Sequence, residues 1–211
     1  MNHKELKIYI FFIAVLNLGI FTGTVPSYLL FDTEKIFSGQ LWRIFTHAFV
    51  HVSWYHLLLD GVAFIMLYSQ LQAKSLAKRS FYLGSAAFGS MAAVAFALPH
   101  MEAAGYCGLS GIDHGLMVIC GMEMLTSADT DRTEKTAGAV SVTLVIAKSL
   151  FEAITGHMFL EFLHFNMMGS PVAVSHIGGA AGGLIAALAA MKTKKQDNKP
   201  VLKTSISPLA S

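Results

Sequence analysis

Six apolar stretches, each long enough to cross a lipid bilayer as a helix, recur at 8–29, 48–71, 80–98, 109–127, 137–155 and 172–191. A hydrocarbon layer of about 30 Å is spanned by about 20 apolar residues, and within it only helices and closed barrels satisfy their own backbone groups. The sequence therefore predicts an all-α membrane protein: a bundle of six transmembrane helices over 1–191, followed by a basic tail at 192–211. With 54% hydrophobic and 13% charged residues, an ordinary soluble domain is excluded. The first stretch follows Lys4 and Lys7 as a signal peptide would, but it lacks a small-x-small cleavage site and five more stretches follow, so it is expected to be retained.

The cations orient the bundle. Lys4 and Lys7, then Lys74, Lys78 and Arg79, then Arg132 and Lys135, then the five lysines from Lys192 to Lys203, place twelve of the fifteen Lys and Arg on one side. The positive-inside rule makes that side, and both termini, cytoplasmic. The net charge of +2 is thus a topology signal, and no nucleic-acid partner is expected; the bilayer is the surrounding medium. Trp42-Arg43, in the loop after the first stretch, is expected to anchor at the headgroups. Cys107 and Cys120 are too far apart along a helix for a disulfide, and packing is their expected role.

Polar residues inside the apolar stretches carry the chemistry, because lipid does not tolerate them unless they face inward. Gly108-Leu109-Ser110-Gly111-Ile112-Asp113-His114 sets a serine between glycines where a helix begins. The glycines let another backbone come close, and the helix start offers free N–H groups to a developing anion. The second stretch holds His51, His56 and Asp60, with His47 just before it, and His47/His51 and His56/Asp60 are each one helical turn apart and so on shared faces. His47 and His51 read as facing water at the helix mouth; as a set, the three histidines and Asp60 also read as metal ligands. Lys148 and Glu152, again one turn apart, read as a mutually neutralising pair or, secondarily, as a polar contact for substrate. The broken apolar segment 156–171 reads as a cap over an outer site. In the last stretch His176 precedes Gly178, Gly179, Gly182 and Gly183, whose small-xxx-small faces admit a close neighbour, as Gly111 and Gly115 do in the fourth.

The second, fourth and sixth stretches run in the same direction, so Ser110 and His176 fall at matched depth near the outer boundary on two helices that glycine faces bring together. That is a nucleophile–base pair in prospect, with His56 and Asp60 at a similar or deeper level to stabilise an oxyanion.

Trp42-Arg43, the His51, His56 and Asp60 array, Gly108-Leu109-Ser110-Gly111, and His176 followed by Gly179 and Gly183 together resemble the rhomboid intramembrane serine proteases. The resemblance implies a six-helix rhomboid-like bundle with its active site near the outer, periplasmic face of a bacterial inner membrane. It implies Ser110 as nucleophile and His176 as base, without a required aspartate. It also implies an oxyanion hole of the Ser110 N–H and His56, supported by Asp60, His51, His114 and Gly108. Neither cofactor nor metal is implied; the partners would be single-span membrane proteins cut near the outer boundary, by hydrolysis or transpeptidation. The Gly-Leu-Ser-Gly-Ile-Asp-His run is most similar to the rhombosortase branch, which implies processing of C-terminal tails made of Gly-Gly, a hydrophobic helix and a basic end. Two positions depart from the family pattern: most rhomboids have Asn where this chain has Asp60, and many have Tyr where it has His114. Asp60 is read either as a protonated donor to the oxyanion or as a group that orients a histidine. His114 is read as a packing partner of His176 or as a competing base. The other classes open to such a chain are a non-catalytic rhomboid-like binding protein and a His-rich membrane metal-binding protein.

Overall fold

The computed structural model describes residues 4–97, 105–159, 162, 165, 167 and 172–197, the side chains of 193–197 excepted. The described residues are helical except for loops and one isolated antiparallel bridge between Phe31 and Tyr106. Helix α1 (Lys4–Leu16) continues into a 3-10 turn that ends at Gly23. Short helices α2 (Thr33–Phe37) and α3 (Arg43–Thr46) lie in the following loop, and the long helices are α4 (Trp54–Gln70), α5 (Leu76–Ala97), α6 (Ser110–Thr126), α7 (Arg132–Thr155) and α8 (Ala173–Asp197). By length and apolar composition four helices can cross a membrane, or five if the bent pair Arg43–Phe49 and Trp54–Gln70 is one span. This is a multi-pass membrane protein, with side chains such as Phe88, Phe96, Ile154 and Ile185 exposed around its perimeter.

Several of the expected stretches differ from the helices at one end or both. The second stretch is broken: the chain turns by 96° between a short helical run at 43–49 and α4. Val50 is extended, and Ser53, also extended, accepts the His56 N–H at 3.1 Å, so a fresh helix is capped five residues past the expected start. His47 and His51 therefore do not share a helix face. The fourth stretch is the 17-residue α6, which starts within the bundle at Ser110. The last helix runs past 191 to Asp197, so the beginning of the basic tail is helical, and 198–211 lie outside the described residues. So do the Pro99, His100 and Glu102 loop and most of the expected cap at 156–171.

Glycine decides how α5, α6 and α8 meet. A Cβ on Gly179 would run into the Gly111 carbonyl oxygen, and one on Gly115 would lie 2.6 Å from the Gly179 oxygen. Similar collisions pair Gly183 with Gly115 and Gly178 with Gly89. Backbones this close are possible only without side chains, which is how helices associate where apolar burial gives no drive. At one end of the bundle Glu5 pairs with Arg79, and Glu123 accepts the Gln72 N–H at 2.7 Å, tying the start of α1 to the α4–α5 turn and the end of α6.

Arg43 turns into the protein rather than outward as a headgroup anchor would. It is buried, and its guanidinium donates to the Ser27 and Leu30 carbonyls at 2.8 and 2.7 Å and to Gln40 Oε1 at 2.7 Å. A loop folded against the bundle leaves carbonyls that lack helix partners, and the fork of donors on Arg satisfies several at once. Trp42 stays exposed, its indole N–H donating to the Tyr28 carbonyl at 3.0 Å.

Candidate active site

Two hydrogen-bonded groups of polar side chains meet at the first residue of α6. Ser110 Oγ lies 3.1 Å from His176 Nε2 on α8. The other ring nitrogen, Nδ1, is 2.6 Å from Glu152 Oε2 on α7, and the Glu152 side chain is wholly buried. A carboxylate only accepts, so the Nδ1 proton points at Glu152 and the lone pair of Nε2 points at the serine hydroxyl. The other Glu152 oxygen accepts from Lys148 Nζ at 2.6 Å and from the Phe159 N–H at 3.0 Å.

His114 completes this group without touching the hydroxyl. Its ring stacks on that of His176 at 4.0 Å and 7°. Its Nδ1 donates to the Ser110 carbonyl at 2.6 Å, and its Nε2 accepts from Lys148 at 3.0 Å. Ligand atoms of His114, Glu152 and His176 are close enough together to hold a metal ion. The Lys148 ammonium, however, already bridges His114 and Glu152, and a second cation there would meet like charge.

The second group lies on the other side of Ser110. Leu109 gives α6 no side-chain cap; the Ser110 N–H instead donates to Asp60 Oδ2, on α4, at 3.0 Å. The same oxygen is 3.1 Å from His56 Nε2 and 3.5 Å from His51 Nε2. His51 is held in turn by Asn17, whose Oδ1 accepts the His51 backbone N–H at 2.8 Å. Gly108, with φ +106°, turns the chain here; a Cβ would be 2.8 Å from His56 Nε2, and its N–H donates to the His47 carbonyl at 3.1 Å. His47 is buried between Phe31 and Tyr106 with Nδ1 on the Arg43 carbonyl, so neither it nor the buried His51 faces water at a helix mouth. His47 stands apart from the metal-ligand set suggested by sequence, which reduces to His51, His56 and Asp60.

The arrangement can do acyl chemistry: a hydroxyl beside an unprotonated ring nitrogen, and at the same residue an N–H aimed at an anionic oxygen. All seven site residues expected from the sequence, Ser110, His176, His56, Asp60, His51, His114 and Gly108, lie in this cluster, whereas Asn17 and the reach of Glu152 to His176 were not expected. Depth was the available signal for Glu152, which lies near the outer end of its stretch as Ser110 and His176 do. Both cysteines are free.

No curated protein matches the sequence. The Rhomboid domain, however, matches residues 38–193, a span that holds every side chain of both groups except Asn17. With well over half its length in that match, this chain belongs to the rhomboid family of intramembrane proteases.

Proposed function

We propose that the protein is a serine endopeptidase that cuts single-span membrane proteins near the outer boundary of a bacterial inner membrane, with both termini cytoplasmic and α6 as a short sixth span. The carrying observation is the 3.1 Å approach of Ser110 Oγ to His176 Nε2, on two helices held together by glycines. Ser110 Oγ attacks the substrate carbonyl carbon while its proton passes to Nε2. The oxyanion takes the Ser110 N–H and His56 Nε2, the two donors that Asp60 Oδ2 engages at rest. The imidazolium then protonates the leaving amine, and water, or an amine in a transpeptidation, releases the acyl group.

Within the family we place the protein in the rhombosortase branch, on the Gly-Leu-Ser-Gly-Ile-Asp-His run, with substrates that end in Gly-Gly, a hydrophobic helix and a basic tail. Labelling by a fluorophosphonate probe, abolished in Ser110→Ala and in His176→Ala and indifferent to chelators, is the expected result. Labelling that survives Ser110→Ala removes the serine mechanism, and activity lost to chelators favours a metal at His51, His56 and Asp60. Cleavage of a tail with Gly-Gly but not of the same tail with those glycines replaced tests the branch.

A further inference from the structure

The geometry points to Glu152 as a third member of the reacting group, a positioning residue that makes a Ser110–His176–Glu152 triad, with Lys148 as the clamp that holds the carboxylate in place. This rests on the proposed serine mechanism and deepens it.

Three observations carry it. The Glu152 carboxylate is wholly buried, yet one oxygen goes to His176 Nδ1 at 2.6 Å, on the ring edge opposite the one that faces Ser110. A buried carboxylate is costly unless its lone pairs are filled; here an imidazole, an ammonium and a backbone N–H fill them. Lys148 also bonds His114 Nε2, and that imidazole stacks on His176, so the clamp fixes the plane of the base as well as its tautomer. Among the described residues, the charged and titratable groups around Glu152 are thus Lys148 on its own helix, His114 on α6 and His176 on α8.

In the reaction, the Ser110 Oγ–H proton moves to Nε2 as the Oγ–C bond forms. The Nδ1 proton stays on Nδ1, donated to a Glu152 carboxylate that remains ionised throughout. The Nε2 proton leaves with the amine when the C–N bond breaks, restoring the starting tautomer. Without the carboxylate the ring is free to carry its single proton on Nε2, where it cannot accept another.

The test uses the full chain in detergent. Glu152→Gln is expected to slow fluorophosphonate labelling of Ser110 and the kcat of peptide cleavage by about 10²–10⁴-fold, with KM changed less than about threefold, because the tautomer and the imidazolium lose their partner. Glu152→Asp is expected to recover about a tenth or more of the lost rate, since a carboxylate is restored one methylene short. Glu152→Gln that unfolds at the wild-type temperature and keeps wild-type labelling and kcat overturns the triad. If Glu152→Gln does not fold, the double variant Lys148→Met/Glu152→Leu, which replaces the buried ion pair as a whole, decides: a folded variant slowed in kcat supports the triad, and one at wild-type rate overturns it. Failure of the underlying mechanism reads differently, as labelling that persists in Ser110→Ala.

Discussion

Lys148 Nζ stands 3.0 Å from His114 Nε2, and this contact removes from contention the histidine nearest to Ser110 in sequence. With Nδ1 donating to the Ser110 carbonyl, neither ring nitrogen of His114 is free to take the hydroxyl proton. His114→Phe keeps a flat ring against His176 and is expected to lower kcat by about tenfold or less, whereas His176→Phe is expected to lower it by about 10³-fold or more. Parallel measurement of kcat for the two variants checks this; equal losses would restore His114 as a base.

Asp60 Oδ2 collects the donors that an oxyanion would need. It accepts the Ser110 N–H and faces His56 Nε2, and these contacts support the reading of Asp60 as a group that orients its neighbours. Asp60→Asn keeps an oxygen for that N–H and adds an amide donor; kcat is expected to stay within about tenfold of wild type or rise. Asp60→Leu removes the acceptor and is expected to lower kcat about 10²-fold or more. A folded but inactive Asn variant would show that the negative charge itself is required.

The α6–α8 contact sets the distance between Ser110 and His176. In Gly179→Ala the new Cβ meets the Gly111 carbonyl, one residue from the nucleophile. The expected cost is ~1–3 kcal/mol of stability, with a slower labelling rate. Gly84→Ala on α5, where a Cβ meets nothing within 4 Å, serves as the control and should match wild type in both. Thermal unfolding in detergent and timed labelling give the two readings.

Arg43 holds the loop between α1 and α4 by three side-chain hydrogen bonds. Arg43→Lys keeps the charge but cannot span all three acceptors, and a loss of ~1–3 kcal/mol is expected from carbonyls left without partners. Limited proteolysis between residues 23 and 42, faster in the variant, would report the loosened loop; unchanged cleavage would mean the loop is held elsewhere.

What the sequence made legible follows from what one helix can say about itself. His56 and Asp60 sit one turn apart on α4 and do meet; so do Lys148 and Glu152 on α7. Glycine spacing also foretold which faces of α6 and α8 touch, and with them the meeting of Ser110 and His176. The rotation of α7 about its axis left no such mark. Whether Glu152 faces lipid, its own lysine or His176 depends on how three helices nest. The break before α4 escaped because an apolar run reads the same bent or straight, although Ser53 carried a capping signal. Asn17 was unmarked for a related reason: its partner His51 is 34 residues away and reached only once the chain bends.

The first N–H of α6 is received by a carboxylate of α4, and the imidazole beside its hydroxyl belongs to α8. A ribosome delivers these parts in order: Asp60 first, Ser110 some fifty residues later and His176 last. On the proposed mechanism the nascent chain therefore carries a nucleophile without its base for the 66 residues that separate Ser110 from His176. On that mechanism a chain becomes active only once α8 has joined the bundle, and chains truncated before α8 would be inert toward their neighbours.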